Sequence, residues 1–337
     1  MAEAARAFAL RRVDTLVVVR ALAITLLVLN HSGIAYGLHG GLNVLLLVSG
    51  ISMATYSFTG STLQTLRSFL KLALHVAVPA VILAFIFALM KQDVRWTELA
   101  LISNWITPER VVLFPIWYVQ CLVQILLGLS LLFWLFNLTP RIRQAPVRTT
   151  ALVLAGSVLA SVVSSLIWDT YPLRDKLPHL LLWNLTLGWF YWALLVQEAR
   201  TVERRLLFTA VLLLCQAVVF PLAADLYGDA RFVWLTGLGL LLIWWDQLTM
   251  PRWLAHLFQL LSQATFFIFL LHHFSMAICI RISWALDIWD IQQRHFVLFL
   301  SGLILPVLAW AGYTAAMRSY GRMRQQGLLP AFLQRSV

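Results

Sequence analysis

Charge is scarce in this chain. Only 12% of its 337 residues are Asp, Glu, Lys or Arg, and just 14 are acidic. A soluble domain carries about 25% charged residues, so an ordinary water-facing surface is excluded. Cysteine is nearly absent. Cys121, Cys215 and Cys279 all fall inside apolar runs, which excludes a disulfide framework and a cysteine metal spacing. No linker, low-complexity tract or internal repeat is visible, and no fused soluble module is expected. No cleavable signal is expected either, because the first apolar segment is too long for a signal core. The net charge of +11 is scattered over short segments with no basic stripe, which argues against nucleic-acid binding.

What the chain has is hydrophobicity: 61% of its residues are apolar and 15 are Trp. The apolar runs are about 20 residues long, enough to cross a bilayer as helix, and they do not alternate as barrel strands would. The expected fold is therefore all-α, a polytopic membrane protein of about ten transmembrane helices. The spans centre on 15–35, 42–58, 68–90, 115–137, 149–168, 178–197, 206–225, 231–247, 256–286 and 296–317. The ninth exceeds what a bilayer needs and is expected to tilt or break. One transmembrane domain covers 1–337, with short tails over about 1–14 and 318–337. Placing the N-terminus inside puts the basic excess on one side, so both termini are expected in the cytoplasm. The long polar stretch 91–114 then lies outside, where it is expected to cover or line a site.

Ionisable groups within spans are costly and point to function. Arg20 and His31 share the first span, TLVVVRALAITLLVLNHSGIA. Eleven residues are about three helical turns and about 16 Å. The guanidinium and imidazole thus share one face at different depths, which suits a long anionic ligand. Singly, each has an ordinary reading, a snorkelling arginine and an interfacial histidine. In the third span Arg67, Lys71 and His75 recur every four residues before Pro79, a basic ladder down one side. Positive-inside anchoring accounts for Arg67 and Lys71 but not for His75. With Arg20 they suit a cytosolic ligand bearing several phosphates.

His272 and His273 lie mid-span in the ninth segment. Adjacent helical side chains diverge, so only one is expected in a cavity. Arg281 follows, with Asp287 and Asp290 as its expected structural partners. Gly40–Gly41 and Ser49–Gly50 bracket a short apolar run, a pattern of close helix packing, with Asn43 as a polar contact. Trp117–Tyr118 after Pro115 reads first as an interfacial aromatic belt.

In combination these segments resemble the integral-membrane acyltransferase family 3, which includes O-antigen and Nod-factor acetyltransferases. The resemblance covers most of the chain. It runs through RALAITLLVLNH (Arg20 to His31), GGLNVLLLVSG (Gly40 to Gly50), the basic residues before Pro79, PIWYVQCLVQ (Pro115 to Gln124) and TFFIFLLHH (Thr265 to His273). The chain departs from the family at Val17, where an acidic residue is usual, with Asp14 one turn earlier. It departs also at Leu45 and Leu46 for phenylalanines, at His75 for arginine, at Thr265 for serine and at Phe269 for tyrosine.

The resemblance implies O-acyl transfer, commonly of acetyl, from cytosolic acyl-CoA to a hydroxyl of a sugar, glycan or similar acceptor. Acyl-CoA would be a co-substrate, with no permanently bound cofactor and no metal. The resemblance implies His31 and Arg20 as catalytic residues, His31 as a general base, and Arg67, Lys71 and His75 as donor-binding residues. Asn30, Ser32, Asn43, Ser49, Trp117 and His272 are candidate cavity-lining residues, and Asn30, Ser32 and His272 are unranked donors to the oxyanion. The implied location is an integral protein of the bacterial inner membrane. Two other readings remain open: a transporter or flippase for a lipid-linked or anionic solute, since buried His and Arg also serve proton coupling, and a non-catalytic partner in surface-polymer assembly.

Overall fold

The computed structural model describes residues 10–35, 37–106, 117–167, 176–222, 228–285 and 291–325. Among these, eight helices are long and apolar enough to cross a membrane, and two shorter apolar helices accompany them. The protein is an all-α polytopic membrane protein in outline, and each expected span meets a helix.

The elements run β1 (Leu10–Asp14), α1 (Thr15–Ser32), α2 (Gly41–Ser57), α3 (Thr62–Lys91), the four-residue α4 (Trp96–Leu99) and α5 (Ser103–Ile106), then α6 (Trp117–Phe136), α7 (Leu138–Gln144) and α8 (Pro146–Ile167). There follow α9 (Pro178–Tyr191) with a π-helical turn (Trp192–Val196), α10 (Val202–Leu222), α11 (Gly228–Trp244), β2 (Gln247–Pro251), α12 (Arg252–Ala285) and α13 (Ile291–Gln325). The ninth span is one unbroken helix, α12, and not a broken one. The last helix runs on to Gln325, past the position 318 where a tail was expected.

Two short strands correct the purely helical expectation. β1 pairs antiparallel with β2, Leu10 opposite Pro251 and Asp14 opposite Gln247. Backbone hydrogen bonds between segments far apart in sequence leave little local signal. The ribbon holds the residues before α1 beside the turn after α11, and Thr15 N–H donates to Asp246 O (3.1 Å). The two segments therefore lie at the same end of the bundle. Arg200 and Arg205 pair with Asp246 there. Asp14 caps α1, its Oδ1 accepting from Leu16 N–H at 2.7 Å.

Helix α1 lies inside the bundle against α2, α11, α12 and α13, with Val19, Ala21, Ala23, Ile24 and Val28 fully buried. It ends just past His31, where Gly33 takes φ 82°. That left-handed backbone strains any residue with a Cβ, and a Cβ there would also press on the His295 ring at 3.1 Å. Helices α2 and α9 cross backbone to backbone at Gly50 and Gly188. A Cβ on either would overlap the other helix, at Leu185 O and Leu47 O respectively. The small residues read as packing devices thus serve as packing devices.

The 91–114 stretch behaves differently from expectation where it is described. Asn104 Nδ2 donates to Lys176 O (2.8 Å) and Gln124 Oε1 (3.1 Å), and Gln120 Nε2 donates to Ser103 Oγ (2.8 Å). Residues 103–106 are thereby fastened to the polar stripe of α6. They line none of the cavities described below. Residues 107–114 lie outside the described residues, as do Pro115, Asp287 and Asp290.

Candidate functional site

Three cavities follow α1 from its start to its end. The first, about 500 Å³, is lined by Asp14, Arg20, Ser52, Tyr56, Arg200 and Asp246. The second, about 400 Å³, also takes Arg20 and Ser52 into its wall and adds Ser49, His75, Tyr118, Ser262, Thr265 and Phe269. The third, about 70 Å³, is lined by Asn30, His31, His39, Asn43, Trp117, Arg231, Phe269, His272 and His273. Arg20 and Ser52 belong to the first two cavities, and Phe269 belongs to the second and third.

Arg20 is half-buried and donates from Nη2 to Ser52 Oγ at 2.7 Å. Among the described residues it makes no ion pair. A guanidinium carries five donors, so one hydroxyl leaves most of its capacity facing the two cavities. Ser52 itself is held by donating to Val48 O (3.0 Å).

His31 occupies the last turn of α1 and remains exposed at the third cavity. Its Nδ1 lies 2.8 Å from Nε2 of His272, which α12 presents from the opposite wall. The ring planes are 6° apart and the centroids 5.1 Å apart. That separation equals the nitrogen–nitrogen distance plus the two ring radii. The imidazoles therefore lie edge to edge in a common plane, with the contact along the lone-pair axis. On its other edge His272 Nδ1 meets Phe269 O (2.7 Å) and Ile268 O (3.0 Å).

Carbonyls only accept, so His272 Nδ1 carries the proton and Nε2 carries the lone pair. His31 Nδ1 must then be the donor, and His31 Nε2 is left with a bare lone pair. A backbone carbonyl, two imidazoles and a directed proton chain thus set the tautomer of His31. His272 is buried.

His273 joins them. Its ring centroid is 4.5 Å from that of His31 and 4.1 Å from that of His272. The expectation that only one of the adjacent pair reaches a cavity is corrected. The three rings form a triangle, with His272 and His273 side by side on α12 and His31 facing both from α1. Ligand atoms of all three lie within 4.8 Å of one another.

The remaining expected residues divide. Asn30 lines the third cavity, its Oδ1 accepting from Gly37 N–H (3.3 Å), which leaves its amide donors free to turn inward. Asn43 lines it too and donates to Asn184 Oδ1 (3.4 Å) in the buried interior. Trp117 is on the same wall, so its aromatic-belt reading gives way to a cavity one. Ser49 lines the second cavity. Ser32 lines none of these cavities; its hydroxyl donates to Leu29 O (2.8 Å) and finishes the helix.

The basic ladder faces one groove: Arg67, Lys71 and His75 together line a space of about 830 Å³ with Leu74, Phe267 and Tyr313, and of the three His75 also reaches the second cavity. Spacing of four fixes a common helix face, not the neighbour that face meets. Arg281 is exposed. Sequence reasoning missed His39 and Arg231 on the wall of the third cavity and Arg200 in the first. Arg231 had a signal, a cation next to an apolar run, but it sits in the shorter α11.

No protein-family model, curated protein or solved structure matches the chain.

Proposed function

We propose that this protein is a membrane O-acyltransferase that moves a short acyl group, acetyl by preference, from acyl-CoA to a hydroxyl of a sugar or glycan. One observation carries the reading. His31 Nε2 is a bare base, fixed by His272, and it belongs to the far end of a series of cavities whose other end holds Arg20 and Arg200.

In this reading the phosphates of the donor meet Arg20 and Arg200 in the first cavity, as charge-assisted hydrogen bonds favour. The pantetheine arm passes His75, Tyr118 and Phe269. The thioester then lies beside His31, and the 70 Å³ chamber suits two carbons better than a long chain. His31 Nε2 takes the proton of the acceptor hydroxyl as its oxygen attacks the thioester carbonyl. Asn30 and Arg231 supply donors to the oxyanion. The C–S bond breaks, and the thiolate leaves with the proton that His31 accepted. The topology, ten spans with both termini in the cytoplasm of a bacterial inner membrane, belongs to the same proposal, because it brings the Arg20 end to the cytosolic donor.

Mass spectrometry of surface glycans from cells with the protein, without it, and with His31→Ala tests the reading. Acetyl groups present only with the intact chain are expected. Identical glycans in all three, from a correctly inserted variant, would overturn it. In liposomes, solute flux without release of CoA thiol would favour a transporter instead.

A further inference from the structure

We infer that His31, His272 and His273 form a binding site for one divalent transition-metal ion of the zinc class, and that occupancy switches off the base. The inference goes beyond the acyl-transfer reading, because metal binding needs no substrate.

The donor set is three imidazoles whose ligand atoms lie within 4.8 Å of one another, the shortest pair being 2.8 Å apart. Tetrahedral zinc with bonds of about 2.0–2.1 Å sets its nitrogen ligands roughly 3.4 Å apart. The present spacings bracket that figure, so the site assembles once the His31 and His272 rings swing out of their head-on contact and shift by about 1 Å. The lone pair of His272 Nε2 already faces His31. Its other nitrogen donates to the carbonyls of Phe269 and Ile268, the support that metal-bound histidines ordinarily have. No carboxylate belongs to the trio. Neutral nitrogen donors select zinc, nickel or copper over magnesium or calcium.

The third cavity leaves room for a fourth ligand. Arg231 on its wall favours an anion there, such as chloride or hydroxide. Three ligands with an open fourth position resemble an exchangeable site more than a closed structural one.

The consequence for His31 follows from the tautomer. A metal between the rings takes the lone pair of His31 Nδ1, so the proton now on Nδ1 moves to Nε2. The imidazole stays neutral, no proton is released, and the nitrogen facing the acceptor is no longer a base.

Full-length protein in detergent, purified without a histidine tag, is titrated with Co²⁺ and then with Zn²⁺ as competitor. Visible absorption and metal content after desalting are read. One equivalent is expected for the intact chain, with affinity at least tenfold weaker in His31→Ala and in His273→Ala, and unchanged in His256→Ala and His295→Ala. An intact chain that retains no more metal than the His31→Ala/His273→Ala double variant overturns the site. Metal binding without any acyl transfer would count against the enzyme reading alone. Acyl transfer that persists with one bound equivalent of zinc would overturn the switch.

Discussion

The rings of Tyr118 and Phe269 meet at 4.5 Å between centroids, tilted by 52°, and Phe269 also forms part of the walls of both the arginine and the histidine cavities. The pair narrows the way between them. Phe269→Ala is expected to merge the two spaces and admit longer acyl chains. The check is the ratio of kcat/KM for butyryl-CoA to that for acetyl-CoA, which should rise. An unchanged ratio in a folded variant would show that the narrowing does not select.

His31→Ala is expected to lower kcat by about 10²- to 10⁴-fold, the usual worth of a general base. His272→Ala should lower kcat too, with KM for acyl-CoA nearly unchanged, because the hydrogen bonds of its ring go to His31 and to carbonyls. His272→Gln offers a carboxamide oxygen to His31 Nδ1–H and should restore part of the rate. A packing role alone would give no such rescue.

Arg20→Ala removes a donor that Ser52 merely orients. Hydrogen bonds to charged groups are worth about 1.5–3 kcal/mol, so KM for acyl-CoA should rise by roughly ten- to a hundredfold. Arg67→Ala and Lys71→Ala, which line a different groove, should leave KM within about twofold. Steady-state kinetics on the three variants decides. Equal losses in all three would restore the basic ladder as the donor site.

Gly50→Val forces α2 and α9 apart where their backbones touch. Overpacking of this kind costs about 1–3 kcal/mol. Thermal unfolding in detergent should show a lowered midpoint, whereas Gly128→Val, with nothing within 4 Å of its added Cβ, should not.

Much of the architecture could be read from residues alone. Runs of apolar residues near 20 long located every long helix but not the short α4, α5 and α7, and the eleven-residue gap put Arg20 and His31 on one helix with cavities beside each. What escaped was tertiary. Helical spacing grouped Arg67, Lys71 and His75, which do line one groove, but could not tell that α12 and α13 form its other wall or that Arg20 lies outside it. Adjacency of His272 and His273 suggested divergence, but their rings lie 4.1 Å apart and both face His31 of α1. The strands at Leu10–Asp14 and Gln247–Pro251 are five residues each, polar in part, and defined only by one another.

Those strands have one more effect. From Asp14 to His31 and from Pro251 to His272, both helices are measured from the same ribbon, about 26 Å along one and about 32 Å along the other at 1.5 Å per residue. The ribbon is a hinge pin from which two arms of a caliper reach the tips that meet as His31 and His272. A slip of two residues in its register would displace one arm by about 7 Å and part the tips, so a proton chain deep in the bundle is calibrated by ten residues at its opposite end.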